Sequence, residues 1–130
     1  MVRTVINPWE WQNELGYVQA VEVKEVKSTL YISGQAAVNP DGSSSNADMR
    51  TQFQLAVKNL ETVISQAGYE CKDIVRLTIY STSSKEFMST CIDLLKDFAG
   101  RHDMKQSLTL LEVVGLNETM NVELEATAAR

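Results

Sequence analysis

The run from Ser107 to Gly115 constrains the fold of this chain more than any other stretch. Its length and composition read as a β-strand. Leu108, Leu110 and Val114 share one face with Glu112, while Leu111 and Val113 occupy the other. A strand that is apolar on both faces needs cover on both. Only two stretches have the apolar spacing of a helix. The first covers about residues 47–67, where Phe53, Val57, Leu60, Ile64 and Ala67 form one stripe, with Asn46 or Asp48 placed to cap it and Gly68 to end it. The second covers about residues 85–99, with Phe87, Cys91, Leu94 and Phe98 in line and Gly100 as its stop. Two helices cover one face of a four- or five-stranded sheet. The second face then needs a neighbouring subunit, so an oligomer is expected.

The remaining strands are expected at Tyr17 to Lys27, Thr29–Ser33, Asp73 to Thr82 and Asn121 to Ala129. The last alternates, with Val122, Leu124, Ala126 and Ala128 on one side and Glu123, Glu125 and Thr127 on the other. Asn39-Pro40-Asp41-Gly42 is a strong turn signal, and the serine-rich loop after it is too short to link two domains. A single α+β domain over residues 1–130 follows. Residues 1–16 read as irregular, with Trp9 and Trp11 expected to pin this arm to the body by burying their rings.

Composition excludes several classes of function. Twelve basic residues against seventeen acidic ones give a net charge of −5, and no Lys/Arg cluster offsets it. A nucleic-acid partner is therefore not expected. No apolar run spans a bilayer, and Met1-Val2-Arg3-Thr4 opens no secretory signal, so no membrane partner and a cytoplasmic location are expected. Cys71 and Cys91 are too few and too far apart for a zinc site, and nothing calls for a metal or a cofactor. The one histidine, His102, stands in no triad pattern, so Ser33 has no base to make it a nucleophile.

Five segments, taken in order, carry a resemblance. They are Gly16-Tyr17-Val18-Gln19-Ala20, Tyr31-Ile32-Ser33-Gly34-Gln35, Asn39-Pro40-Asp41-Gly42, Leu111-Glu112-Val113-Val114-Gly115-Leu116 and Val122-Glu123-Leu124-Glu125-Ala126-Thr127-Ala128. The set resembles the RidA (YjgF) family, also known as endoribonuclease L-PSP. The resemblance implies a chorismate-mutase-like α+β fold, a homotrimer, and a small-molecule site at each subunit interface. It also implies hydrolysis of reactive enamines and imines to keto acids and ammonia.

Carried over residue by residue, the resemblance assigns Tyr17, Ser33 and Gly34 to ligand contact and Glu123 to positioning the attacking water. The family arginine that grips a substrate carboxylate falls on Leu108, the nearby cysteine on Leu110, and a polar helix position on Cys91. A leucine offers neither charge nor donor where a planar guanidinium binds a carboxylate with two hydrogen bonds. Leu108 and Leu110 are expected to make the pocket wall apolar and to favour neutral or less anionic ligands. Arg101 and Lys105, in the preceding loop, are the cations nearest in sequence that could stand in. Three activities are left open: an imine or enamine hydrolase with altered substrate choice, a non-catalytic metabolite-binding trimer, and a chorismate-mutase-like enzyme. The last lacks the cations that a dicarboxylate needs.

Overall fold

A computed structural model describes residues 1–130. Six strands and three helices occur in the order β1 (Val2–Ile6), β2 (Ala20–Lys24), β3 (Thr29–Gln35), α1 (Met49–Gln66), β4 (Ile74–Ser81), α2 (Ser84–Thr90), α3 (Ile92–Arg101), β5 (Ser107–Glu112) and β6 (Val122–Ala129). Strands β3, β6, β4 and β5 lie side by side in that order, and β1 pairs with β2 in a separate two-stranded sheet. The β4–β5 pair is parallel and the others are antiparallel. A parallel pair needs a crossover connection, and α2–α3 supply it.

All three helices pack on one face of the four-stranded sheet. The stripe predicted for α1 is buried at Phe53, Val57, Leu60 and Ile64, with Ala56 beside it, against Ile32, Leu77, Ile79, Leu124 and Ala126, whereas its expected last member, Ala67, lies exposed just past the end of the helix. Phe53 meets Phe87 edge-to-face at 5.1 Å between ring centroids, which ties α1 to α2. Asp48 caps α1, accepting from the Thr51 N–H at 2.8 Å. Gly68 follows its end with φ +77°, a left-handed value that glycine adopts without strain.

The second helix is not continuous. It breaks at Cys91, giving three helices rather than two. The Thr90 hydroxyl donates to the Glu86 carbonyl at 2.7 Å, and Arg50 donates to the Thr90 carbonyl, also at 2.7 Å. Side-chain groups that engage backbone carbonyls compete with the helical ladder and bend it. The helix then runs on through Gly100 to Arg101.

The N-terminal arm is not irregular: Val2–Ile6 is a strand, paired in register Val5↔Val21 and Arg3↔Val23. The tryptophans do not anchor it, since Trp9 and Trp11 are 51% and 61% exposed. The first expected strand is also shorter. Gly16 turns the chain at φ +79°, and Val18 leaves to bridge the β5 edge beside Ser107. The Gln19 N–H is taken by the Asn7 side chain at 2.8 Å, so pairing with β1 begins only at Ala20.

The second sheet face is open in the single chain. Strand alternation puts Tyr31, Tyr80, Glu123, Glu125 and Leu111 there. Tyr80 donates to Glu125 at 3.0 Å, and Arg76 donates to Thr109 at 2.5 Å. Strand β5 ends at Glu112, short of the expected Gly115, and has one covered face, at Leu108 and Leu110, while Leu111 is exposed on the other and Val114 is exposed beyond its end.

Candidate functional site

The residues singled out from sequence fall into two groups, one on each side of the sheet. The first group surrounds an apolar cavity of about 160 Å³. Leu108 and Leu110 of β5 and Ile79 of β4 form its floor. Phe87 and Met88 of α2 and Ile92 and Leu95 of α3 form its roof, and Leu15 and Tyr17 close its side. Tyr17 brings the only hydroxyl to this lining. The chain is led there by Gly16, which lies so close to α3 that an added methyl would stand 3.3 Å from the Ala99 Cβ. The sequence did not point to Met88 or Ile92, because both lie off the Phe87–Cys91–Leu94–Phe98 stripe; with Leu95 they form a second line at helical spacing, and that line faces the cavity.

Cys91 is fully buried behind this cavity rather than on its wall. Its Sγ lies 3.5 Å from the Thr90 hydroxyl, and burial pushes its thiol pKa up. Cys71 is also buried and free, with its thiol pushed up to about 11 by burial. Neither is poised as a thiolate.

The two candidate cations do not line the Leu108 cavity. The Arg101 guanidinium donates to Asp97 at 2.8 Å and to Glu61 at 3.2 Å, and His102 also contacts Glu61 at 2.7 Å. Lys105 borders a different cleft, of about 530 Å³, which adjoins the cavity at Tyr17 and also takes in Lys96.

The second group sits at the far edge of the sheet. Between Ile32 and Gln35 the β3–β6 register slips, so that Ser33 and Gly34 together oppose Glu125. This is a β-bulge, a device that re-aims side chains and backbone. It brings Gly34 under the Glu123 side chain: a methyl on Gly34 would lie 2.5 Å from Glu123 Cδ and 2.6 Å from Oε2. Gly34 and Glu123 line one cleft of about 510 Å³ with Asn59, Val63, Asn117 and Met120. The Asn59 amide donates to the Ala36 and Val38 carbonyls at 2.9 Å each, which holds the strand exit in place. Its helix period places Asn59 beside Val63, but the sequence did not reveal its backbone partners. Ser33 is exposed on the open face and does not border this cleft.

Glu123 is half-buried, and burial raises its carboxyl pKa above the ordinary value, with the charge of Glu125 as the second cause. A carboxyl group shifted upward in this way holds its proton to higher pH than an ordinary glutamate, which suits it to proton transfer. Glu123 pairs with Tyr80, whereas Leu110 pairs with Ile79. That one-residue offset puts the two side chains on opposite faces of the sheet, with β4 between their strands. Within one chain, therefore, Glu123 does not reach the cavity at Leu108 and Leu110.

Residues 10–130 match the endoribonuclease L-PSP family. The chain belongs to this family, the RidA/YjgF proteins. Among RidA-family relatives, Escherichia coli TdcF, named for reactive intermediate deamination, is 29% identical over 115 residues, covering 88% of this chain and 86% of TdcF. The 2-iminobutanoate/2-iminopropanoate deaminase of Escherichia coli is 27% identical over 114 residues, covering 88% and 87%. The crystal structure of the Rid-family protein YyfB from Yersinia pestis, described as of unknown function, superposes with a TM-score of 0.82 at 31% identity over the whole of both chains. The α+β fold with its mixed sheet is thus one that RidA-family proteins share.

Proposed function

We propose that this RidA-family protein is a homotrimer that hydrolyses imines or enamines at small-molecule sites between neighbouring subunits, with substrate choice altered at Leu108. The observation that carries this reading is the seating of Glu123 over Gly34, with its carboxyl pKa raised by burial. Related proteins named as deaminases of reactive intermediates and of 2-imino acids support the same chemistry. The separation of Glu123 from Leu108 on opposite sheet faces favours a site assembled from two chains, and the open sheet face offers the surface for it. A cyclic trimer satisfies both, because each subunit then lends its cavity to one neighbour and its glutamate to the other.

In this reading Glu123 accepts a proton from water as the oxygen adds to the imine carbon. The C=N electron pair moves to nitrogen, and Glu123 passes it the proton taken from water. Glu123 then takes the carbinolamine hydroxyl proton as the C=O bond forms, the C–N bond breaks, and the leaving amine receives that proton from Glu123. The products are a carbonyl compound and ammonia or an amine. Leu108, standing at the family's arginine position, removes the partner for a substrate carboxylate. Charge-assisted hydrogen bonds of that kind are worth roughly 1.5–3 kcal/mol each, so small imino acids should be poor substrates.

The test offers the protein imino acids generated in situ by an amino-acid oxidase, and separately a set of preformed neutral imines. Native protein should speed the decay of neutral imines, and Glu123→Gln should remove that acceleration. Decay no faster than in buffer across both sets would overturn the hydrolase reading in favour of a metabolite-binding trimer.

A further inference from the structure

We infer that the group bound against Leu108 is an uncharged hydrocarbon ring, or a branched chain of similar bulk, about the size of benzene. This deepens the reading of the Leu108 cavity as the substrate pocket and rests on it. Size is the first argument. The cavity measures about 160 Å³, and an apolar cavity of about 150 Å³ stays dry and takes up benzene. A pocket for the two- or three-carbon chain of a small imino acid has no use for that volume.

Chemistry is the second argument. Every lining side chain is apolar or aromatic, and Tyr17 supplies the sole hydroxyl. An anion placed beside Leu108 and Leu110 would lose its water without gaining a partner, which is costly. The nearby cations do not relieve this. Arg101 is held by Asp97 and Glu61, and Lys105 borders the neighbouring cleft. The third argument is the mouth. Met88 is 45% exposed at the rim, and an unbranched thioether adapts its shape to a ring more readily than a branched side chain. With Tyr17 on the other side, the rim offers a soft contact and one hydrogen-bonding group to whatever atom projects outward. An aryl or cyclic imine fits this arrangement: the ring sits in the cavity and the C=N carbon lies toward the opening.

The experiment is a titration of the native full-length protein with toluene and, separately, with benzoate, followed through side-chain methyl resonances. Toluene should shift the methyls of Leu108, Leu110 and Met88, and benzoate should need at least about tenfold higher concentration to do the same. The variant Leu110→Phe, which fills the cavity, should lose the toluene response, and Leu108→Arg should bring the affinities of the two probes together or invert them. Benzoate binding at these methyls as tightly as toluene, or toluene leaving them unmoved at its solubility limit, would overturn the inference. The native ratio decides the matter even if a variant fails to fold. Binding is read without turnover, so a protein that takes toluene yet hydrolyses no imine would contradict the hydrolase reading alone.

Discussion

The two ends of the sheet differ in what they offer a ligand. At the β5 edge the chain builds a small apolar cavity that opens beside Met88, and at the β3 edge a wider cleft of mixed character holding one perturbed carboxyl group. The first can select a substrate by shape but has no group to move a proton. The second can move a proton but has little shape to recognise anything. The apolar cavity and the perturbed carboxyl group thus lie on opposite faces of one sheet, and in the function proposed above a neighbouring copy brings them together.

The sharpest way to break this comparison is to remove the proton-transfer group. Glu123→Gln should lower imine hydrolysis by about two orders of magnitude, the usual lower bound for a lost general acid–base, while toluene binding at Leu108 stays within about twofold of native. A parallel loss of ring binding, with the oligomer intact, would mean that the two regions are not independent. Gly34→Ala should act more gently, by about tenfold on turnover, because the new methyl displaces a flexible side chain rather than backbone. Its melting temperature should change little, and the double variant with Glu123→Gln should be no worse than Glu123→Gln alone.

How much of this was legible beforehand differed between the regions. Most of the α1 stripe, one of its two candidate caps (Asp48) and the alternation of β6 are local patterns, and the structure keeps them. Strand β1 was missed even though Val2, Thr4, Val5 and Ile6 suit a strand. Its partner is fourteen or more residues away, and no turn signal announces the pairing. The break at Cys91 depends on Arg50, forty residues earlier in sequence, reaching the Thr90 carbonyl. The close approach of Gly34 to Glu123 depends on a register slip between strands that are distant in sequence. Nothing local to Ser33 and Gly34 names the residue that the bulge brings against them. The apolar cavity wall was legible from Leu108 and Leu110, whereas its helical roof was not.

A smaller effect should appear in stability. The folded chain holds the Glu123 proton more tightly than the unfolded chain does, because burial raises that pKa. Stability should therefore fall as pH rises from the ordinary glutamate value toward the raised one, and level off above it. Relative to Glu123→Gln, native protein should lose melting temperature across that window. A loss of equal size in both proteins would assign the slope to other carboxyl groups.

The most direct test of a site shared between copies is to mix two inactive proteins. Glu123→Gln keeps the cavity, and Leu110→Phe keeps the carboxyl group. Unfolded together at equal concentration and refolded into mixed trimers, they should regain about one quarter of the native sites, since each site draws its cavity and its glutamate from different chains at random. Recovery of neutral-imine hydrolysis near that fraction is the predicted result. Mixed trimers, verified by native mass spectrometry, that remain as inactive as either parent would contradict the account.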